Sequence, residues 1–239
     1  MHSRCDRSYV RGMTDIISTE LRPSPPSKAW LRIMALVYDP FLCVGEIAGM
    51  RRRRSTLLGS ARGRVVEIGA GTGLNLAHYP DEVAELVLTE PEPGMRRRLA
   101  RRLQRQGRVA RIVDAAAEQL PLADGSVDTV VSTLALCTVG DPEYALREIA
   151  RVLRPDGQFL FIEHVRADSR FLAACQDALF KPWHSFGGGC HCNRQTVELM
   201  RACGFTVTAS DAVWHGMPAI VHPLVVGRAT RGSGPGCQP

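Results

Sequence analysis

A glycine-rich loop directly after a short apolar segment is the clearest chemical signal in this chain of 239 residues. In VVEIGAGTG (65–73), the acid Glu67 precedes glycines at positions 69, 71 and 73. Glycine suits a loop that turns tightly off a buried strand and lets a ligand approach the backbone with no Cβ in the way. A dinucleotide fingerprint would need its third glycine at position 74, where Leu74 stands, and no Gly-Lys-Ser/Thr follows as in a P-loop. The loop therefore favours a nucleotide-type ligand that lacks a pyrophosphate.

A second acid, Glu90, ends the next apolar segment, LVLTE (86–90), and is followed by Pro91. The carboxyl ends of parallel strands meet at one edge of a sheet, so Glu90 is expected beside the glycine loop. A carboxylate there can accept hydrogen bonds from both hydroxyls of a ribose, whereas an isolated acid at a strand end is more often a solvated loop residue. Together, the two signals predict a bound nucleoside without phosphates.

The segments that must position these residues alternate in type along the chain. Apolar segments rich in Val, Ile and Leu alternate with helical patterns, and their near-continuous apolar character is typical of strands buried on both faces. The strand candidates are 64–68, 86–90, 109–113, 127–133, 158–165, 205–210 and 219–229. The sequence therefore predicts an α/β protein with a mostly parallel seven-stranded sheet and helices on both faces.

Capping residues mark the predicted helices. Asp141 and Pro142 are expected as the N-cap and first residue of a helix that ends before a turn at Pro155-Asp156-Gly157. Pro93 at the start and Gly107 just past the end mark a second helix, at about 93–106, in the same way. A short helix containing 74–76 and a longer helix at about 169–180 are also expected.

The basic composition is compatible with several classes of partner and does not select one of them. Lys+Arg 30 against Asp+Glu 24 gives a formal net charge of +6, and all the basic residues except Lys28 and Lys181 are Arg. Such a surface attracts nucleic acid, anionic membranes and acidic substrates alike. The arginines at 96, 97, 98, 101, 102 and 105 have no interleaved aromatic residues. A solvated face is therefore favoured there, and no nucleic-acid partner is predicted.

The N-terminal segments are expected to lie outside the main domain. The stretch 29–50 is apolar but is interrupted by Arg32, Asp39, Pro40 and Glu46, so no transmembrane helix is predicted. Two interpretations stay open: a lid helix followed by a solvated basic turn at 51–54, or a membrane-surface contact through 29–54. The expected organisation is a mobile extension at 1–28, lid or membrane-surface helices at 29–60, the main domain at 61–230 and a flexible tail at 231–239.

The series of motifs resembles a known family. VVEIGAGTG, LTEPEPGM, AAAEQLPLADGSVDTVVSTLALCTV and EIARVLRPDGQFLFIEHV, in this order over about 64–165, resemble class I S-adenosylmethionine-dependent methyltransferases of the ubiquinone/menaquinone-biosynthesis branch. TLALCTV (133–139) and PWHSFGGGCHCNRQTVELMRACGF (182–205) are similar to the methyltransferase-like alkyl-thiol S-methyltransferases of animal endoplasmic reticulum and their bacterial relatives. The resemblance implies a Rossmann-like fold, S-adenosylmethionine as the cofactor and methyl transfer to a small, apolar acceptor.

The resemblance also implies site residues. Glu67 and the backbone of 69–71 would hold the methionine half of the cofactor, and Glu90 would hold the ribose. The usual Asp-Ala-Glu-x-Leu-Pro pattern begins here with Ala116, so the acid that often bonds the adenine amino group is missing and that contact falls to backbone or to Asp114. The implied cofactor-binding residues are Glu67, Gly69, Ala70, Gly71, Asn75, Glu90, Pro91, Ala116, Ala117, Glu118, Thr133 and Leu134.

The acceptor decides whether the reaction needs a base. A thiol, with a pKa of about 8.5, is partly ionised near neutral pH, whereas a phenol near 10 or an amine must lose a proton. His164, at the end of the fifth strand, is the candidate base. A thiol sulfur is favoured as the acceptor atom, with a quinol or phenol, a phospholipid amino headgroup, or a non-catalytic cofactor-binding scaffold as the alternatives.

The cysteines raise two further questions. Eight cysteines with no secretory signal before them favour reduced thiols and a cytoplasmic protein. The group Cys190-His191-Cys192 with His184 and Cys203 suggests zinc, but the C-H-C spacing packs three ligands too tightly for tetrahedral geometry from one turn. We therefore predict no metal site and interpret this segment as a glycine-flanked loop over the acceptor pocket.

Overall fold

A seven-stranded sheet forms the centre of the computed structural model, which describes residues 26–232. Its strands are β1 (Arg64–Ile68), β2 (Glu85–Thr89), β3 (Arg111–Val113), β4 (Val127–Thr133), β5 (Leu153–His164), β6 (Phe205–Val213) and β7 (Pro223–Arg231). The spatial order is β3-β2-β1-β4-β5-β7-β6. Strands β1 to β5 pair in parallel, and β7 runs antiparallel to both of its neighbours. The predicted mostly parallel α/β sheet is confirmed.

Helices connect and cover the strands. They are α1 (Lys28–Gly45), α2 (Arg51–Leu58), α3 (Pro93–Gln106), α4 (Pro142–Val152), α5 (Arg170–Ala178), α6 (Phe180–Phe186) and α7 (Thr196–Ala202). A π-helical segment, Glu46–Met50, joins α1 to α2. As predicted, the Asp141 side chain caps α4 by accepting a hydrogen bond from the Tyr144 N–H, and α3 ends at Gly107 with a left-handed φ of 63°.

Several predicted boundaries differ from the structure for local reasons. The Pro155-Asp156-Gly157 turn is a bulge inside β5, where the register passes from Val127 opposite Leu153 to Thr129 opposite Gln158. Residues 219–221 form a 3-10 turn, and β7 begins only at Pro223. The short helix after the glycine loop is a 3-10 turn at Leu76–His78. The helix predicted at 169–180 ends at Ala178, and α6 extends the helical region to Phe186.

The core lies on both faces of the sheet. Neighbouring residues of β1 point to opposite sides: Val65 belongs to the same buried cluster as Leu99 of α3, and Val66 to the same buried cluster as Ile149 of α4. All four side chains are fully buried. Burial of such a side chain contributes roughly 1.5–3 kcal/mol, so the two helix layers hold the carboxyl edge of the strands in place.

The N-terminal segment is helical over Lys28–Leu58, and α1 begins one residue inside the predicted extension. By length and composition, this stretch of 31 residues is apolar enough to cross a membrane, with a mean hydropathy of 1.5 over its best window and a third of that window buried in the fold. Residues 1–25 of the predicted extension and most of the predicted tail lie outside the described residues.

Two groups of arginines were expected to be solvated, but each includes a residue that contacts the rest of the fold. The predicted basic turn at 51–54 is the start of α2, and Arg54 is buried in an ion pair with Glu46, at 3.0 Å. A buried guanidinium needs such a partner because desolvation is costly. On α3, the side chain of Arg102 contacts Asp39 of α1 at 2.6 Å. These contacts attach the N-terminal helices to the domain.

Candidate active site

The glycine loop after β1 turns its backbone towards a cavity. Gly69 and Gly71 adopt left-handed φ values of 60° and 56°. A Cβ on Gly69 would lie 2.7 Å from the Cβ of Ala135, so packing requires glycine there. A Cβ on Gly71 would meet no atom closer than 4.0 Å, which leaves this side of the loop open to a ligand.

Glu90 lies beside this loop, as predicted. Its Oε2 accepts a hydrogen bond from the Gly71 N–H at 2.8 Å, and its Oε1 accepts one from the Glu92 N–H at 2.8 Å. Each carboxylate oxygen has a further lone pair that can accept a hydroxyl. Burial raises the pKa of Glu90, and the two backbone N–H donors oppose that rise. The arrangement can therefore receive the two hydroxyls of a ribose.

Glu67 is buried behind the loop and does not line the cavity. The Tyr79 hydroxyl donates to its Oε2 at 2.7 Å, and the Asn75 amide donates to its Oε1 at 2.8 Å. The same amide nitrogen donates to Thr133 Oγ1 at 3.0 Å, and Arg54 donates to the Asn75 carbonyl oxygen at 2.8 Å. Burial raises the pKa of Glu67 to about 7, against the lowering effect of its hydrogen bonds. This network supports the loop from below.

A cavity of about 390 Å³ lies between α1 and the carboxyl edge of the parallel strands. Nine of the residues singled out from the sequence line it: Gly69, Gly71, Glu90, Pro91, Ala116, Ala117, Glu118, Leu134 and His164. The other four, Glu67, Ala70, Asn75 and Thr133, do not. Asp114 is held by Arg96 at 2.6 and 2.7 Å and does not line the cavity either. Of the two adenine contacts left open by the sequence, the backbone one is therefore favoured.

Glu163 shapes the turn after β4, a role that sequence reasoning missed. Its fully buried carboxylate accepts hydrogen bonds from the Ser132 hydroxyl and from the N–H groups of residues 135, 136 and 137. The turn begins at Leu134, whose φ of 58° is unusual for a residue with a side chain. Such a conformation costs roughly 1–3 kcal/mol and persists where surrounding contacts enforce it. The only sequence signal is an acid at a buried strand position.

Two cysteines and a histidine meet at the far end of the cavity. The Nδ1 of His164 lies 3.4 Å from the Cys137 sulfur and 3.5 Å from the Cys190 sulfur, and the two sulfurs are 3.7 Å apart. All three residues are buried and line the cavity. The two thiols share one hydrogen bond, and this contact raises the pKa of Cys137 and lowers that of Cys190. Of the cysteines and histidines that the sequence grouped together, only Cys190 takes part.

The site geometry agrees with what the comparisons with known proteins show. A family model described as a methyltransferase domain matches residues 66–161. Thiol S-methyltransferase TMT1A of Homo sapiens is 38% identical over 59% of this chain and 59% of its own length. Thiol S-methyltransferase TMT1B of Rattus norvegicus is 32% identical over 70% of each chain. The chain belongs to the S-adenosylmethionine-dependent methyltransferases. It spans less than two thirds of the human relative.

Solved structures support the class I methyltransferase fold. The crystal structure of a SAM-dependent methyltransferase from Thermotoga maritima, described as a possible histamine N-methyltransferase, superposes with a TM-score of 0.63. It is 24% identical and covers 86% of this chain and 100% of its own. In this methyltransferase, the cofactor is S-adenosylmethionine, a cation. The buried acids Glu67 and Glu90 at one end of the site suit that charge, so the basic surface has no part in recruiting the cofactor.

Helix α1 forms the roof of the methyltransferase site. Met34, Tyr38 and Leu42 line the cavity at a spacing of four residues, which is the helical signal that could have identified this face. Asp39, on the neighbouring face, accepts hydrogen bonds from the Thr72 hydroxyl at 2.5 Å and from Arg102 at 2.6 Å. These two contacts connect the roof to the glycine loop and to α3.

Proposed function

We propose that this methyltransferase transfers the methyl group of S-adenosylmethionine to the sulfur of a small, apolar thiol. The supporting observation is the cavity, whose lining includes Glu90, the thiol and imidazole cluster, and the apolar side chains of Phe41 and Trp214. The relatives named above as thiol S-methyltransferases support the same acceptor atom.

The chemistry asks for placement more than for acid–base groups. A sulfonium methyl is already electrophilic, so the enzyme has to hold the nucleophile in line behind it and exclude water. Glu90 and Glu118 line the cavity, but both carboxylates already accept backbone N–H donors. His164, the candidate base, faces the two thiols through Nδ1, so any acid–base role of its ring is shared with them. A thiol needs less help with deprotonation than a phenol or an amine, which favours it as the acceptor.

The test is incubation of the full chain with methyl-labelled cofactor and a panel of alkyl thiols, quinols and phosphatidylethanolamine. We expect labelled thioethers from the thiols and no labelled product from the other acceptors. Replacement of the exposed Arg147 by Ala serves as a control that leaves the site intact. Exclusive methylation of quinols or lipids would overturn the thiol assignment. Cofactor binding with no product from any acceptor would favour the scaffold.

We further propose that α1 and the π-helical segment rest on the cytoplasmic face of a membrane. The support is a row of exposed apolar side chains on the side of this helix that faces away from the cavity: Ile33, Leu36, Val37, Val44 and Ile47. The exposed Arg51 and Arg52 follow this row. An apolar row with adjacent arginines complements anionic lipids, which the cytoplasmic leaflet carries. An apolar acceptor dissolved in the bilayer would then enter beside the roof of the site.

Flotation with anionic and neutral vesicles tests the membrane proposal. We expect Ile47→Glu, at a side chain that is 72% exposed, to weaken binding to anionic vesicles by about tenfold, since an apolar contact of about 1.5 kcal/mol is lost. Val109→Glu, at an apolar side chain 92% exposed elsewhere on the surface, is the matched control. Equal binding of wild type and Ile47→Glu would contradict the proposal.

A further inference from the structure

We propose that Cys137, His164 and Cys190 bind a zinc ion at the end of the acceptor pocket, and that its open fourth position receives the sulfur of the acceptor thiol. The zinc site itself stands on the geometry of these residues. The assignment of the fourth ligand rests on the proposed function. Both differ from the sequence-based prediction, which found no metal site because it grouped Cys190 with its neighbours in the chain.

The spacing of the three donor atoms matches the edges of a zinc tetrahedron. With Zn–S bonds of about 2.3 Å and a Zn–N bond of about 2.0–2.1 Å, tetrahedral angles separate two sulfurs by about 3.8 Å and a sulfur from a nitrogen by about 3.6 Å. The structure has 3.7 Å between the two sulfurs, and 3.4 and 3.5 Å from them to His164 Nδ1. The three donor atoms are therefore close enough together for a single ion to contact all of them.

The donor set is that of a catalytic zinc site. Structural zinc sites use four protein ligands, whereas catalytic sites use three and leave one position to water or substrate, and a Cys2His set is among those known. Two thiolates and an imidazole favour zinc over magnesium or calcium, which prefer oxygen ligands. The cluster lines the cavity, so the fourth position is reached from the pocket.

The segments that carry the three donors are held by contacts that do not involve the donor atoms. Glu163 accepts the N–H of Cys137 at 3.2 Å. The His191 N–H donates to the Cys137 carbonyl at 2.7 Å, which joins the loop of Cys190 to the turn of Cys137. The His164 ring packs on Trp214 with a centroid distance of 5.5 Å. These contacts fix the positions of the three segments relative to one another.

The ion would activate the acceptor without a separate base. The thiol R–SH binds zinc in place of water and releases its proton to the solvent, because a zinc-bound thiol is deprotonated. The thiolate sulfur then attacks the methyl carbon of the sulfonium, the new S–C bond forms and the sulfonium S–C bond breaks. The products are a neutral thioether and S-adenosylhomocysteine, so the charges of thiolate and sulfonium cancel. A thioether is a weaker ligand than a thiolate and leaves.

Cobalt binding tests the site independently of activity. The full chain is reduced with a phosphine, its free thiols are counted, and Co²⁺ is added with neither cofactor nor acceptor present. We expect one Co²⁺ per chain, with the thiolate charge-transfer band and strong visible absorption of a tetrahedral site, and displacement by Zn²⁺. Loss of a residue that only orients a metal ligand lowers metal affinity by about 10–100-fold, and removal of a ligand itself should lower the affinity further.

The variants separate the cluster from other cysteines. Cys190→Ser and His164→Gln should each lose this spectrum. Cys192→Ser, at a fully buried cysteine two residues along the chain, is the matched control and should keep it. Cooperative thermal unfolding of each variant shows that it is folded. A wild-type protein with reduced thiols that binds no Co²⁺, or a Cys190→Ser variant with unchanged binding, would overturn the proposal.

Adding an alkyl thiol to the cobalt form distinguishes the two proposals. A shift of the thiolate band on addition, together with loss of thiol methylation after metal removal and its return with Zn²⁺, supports the fourth-ligand assignment. Thiol methylation by a protein that binds no metal would overturn the zinc site and leave the thiol acceptor standing. Metal binding without any thiol methylation would overturn the thiol acceptor and the fourth-ligand assignment together, and leave the metal site standing.

Discussion

The two ends of the cavity are built in different ways. The cofactor end comes from short segments that directly follow β1, β2 and β3: residues 69–71, 90–92 and 116–118. The acceptor end comes from the turn at 135–140, the end of β5, the loop at 187–190 and Trp214, and α1 covers both ends. A site made of loops at neighbouring strand ends is encoded locally, whereas the acceptor end depends on packing between segments far apart in the chain.

The two ends also differ in their polar groups. Acids serve the cofactor end, where Glu90 is in the wall and Glu67 is behind it, and a cationic ligand compensates their burial. The acceptor end has thiols, an imidazole and apolar walls. Changes at the cofactor end should therefore act on cofactor affinity, and changes at the acceptor end should act on acceptor KM or turnover.

Glu163→Ala should break this separation and have the largest effect. The carboxylate holds the turn that carries both Leu134, at the cofactor end, and Cys137, at the acceptor end. Its removal leaves buried N–H groups without an acceptor, at roughly 1–3 kcal/mol each, so the free energy of unfolding should fall by about 4 kcal/mol. Chemical denaturation measures this. Glu163→Gln, which keeps one acceptor oxygen, should lose less; equal losses in both variants would contradict this role.

Glu90→Ala should act on the cofactor alone. It removes the carboxylate positioned for the ribose hydroxyls, and two hydrogen bonds to a charged group are together worth about 3 kcal/mol, or about 100-fold in affinity. Calorimetry with S-adenosylhomocysteine measures the change. Glu85→Ala, at an exposed end of the same strand, is the control. An unchanged Kd in Glu90→Ala would show that the ribose is bound elsewhere.

The variant Glu67→Gln should reveal how much the burial of this acid at the cofactor end lowers the free energy of unfolding as the pH rises. Burial raises the pKa of Glu67 from 4.5 to about 7, so the folded state binds a proton that the unfolded state has lost between these values. Stability is therefore present at low pH and is lost as the pH rises from about 4.5 to 7, by about 3 kcal/mol. Without cofactor, the free energy of unfolding of the variant should fall less between pH 5 and 8. Parallel curves for variant and wild type would contradict this pKa.

Asp39→Asn should have the smallest effect and tests the roof shared by both ends. The variant keeps the size of the side chain but weakens the ion pair with Arg102, which is worth about 1 kcal/mol at a partly buried site. We expect a cofactor Kd about fivefold higher and a similar rise in acceptor KM. Asp81→Asn, at an exposed ion pair with Arg108, is the control. A change in only one of the two constants would assign the roof to that end alone.

The sequence placed the glycine loop and Glu90 next to each other, and eight of the twelve residues that the resemblance assigned to the cofactor line the cavity. VVEIGAGTG and the acid of LVLTE sit at strand ends, and a parallel sheet brings such ends together whatever the rest of the chain does. Glu67, Ala70, Asn75 and Thr133 do not line the cavity, and Glu67 is enclosed by Tyr79 and Asn75. No pattern along the chain indicates that Tyr79 reaches back to this acid.

The contacts at the acceptor end could not be predicted from the sequence, because the residues that form them have no fixed spacing along the chain. Cys137 and Cys190 lie 53 positions apart, and Glu163 reads from the sequence only as a polar residue in an apolar strand. The arginines at 51–54 were expected in solvent, yet Arg54 is buried against Glu46. In each case, the partner is supplied by packing, which a one-dimensional pattern does not contain.

The sequence by itself determined the sheet and the nucleoside-type loop, because strand period, glycine position and strand-end acids act over a few residues, and its resemblance to the methyltransferases implied the cofactor. Only the tertiary structure decided which side chains meet at the acceptor end. Burial there makes each polar group require a partner, and those partners come from the turn after β4, from β5 and from the loop after α6. The same packing brings Cys137, His164 and Cys190 to one point.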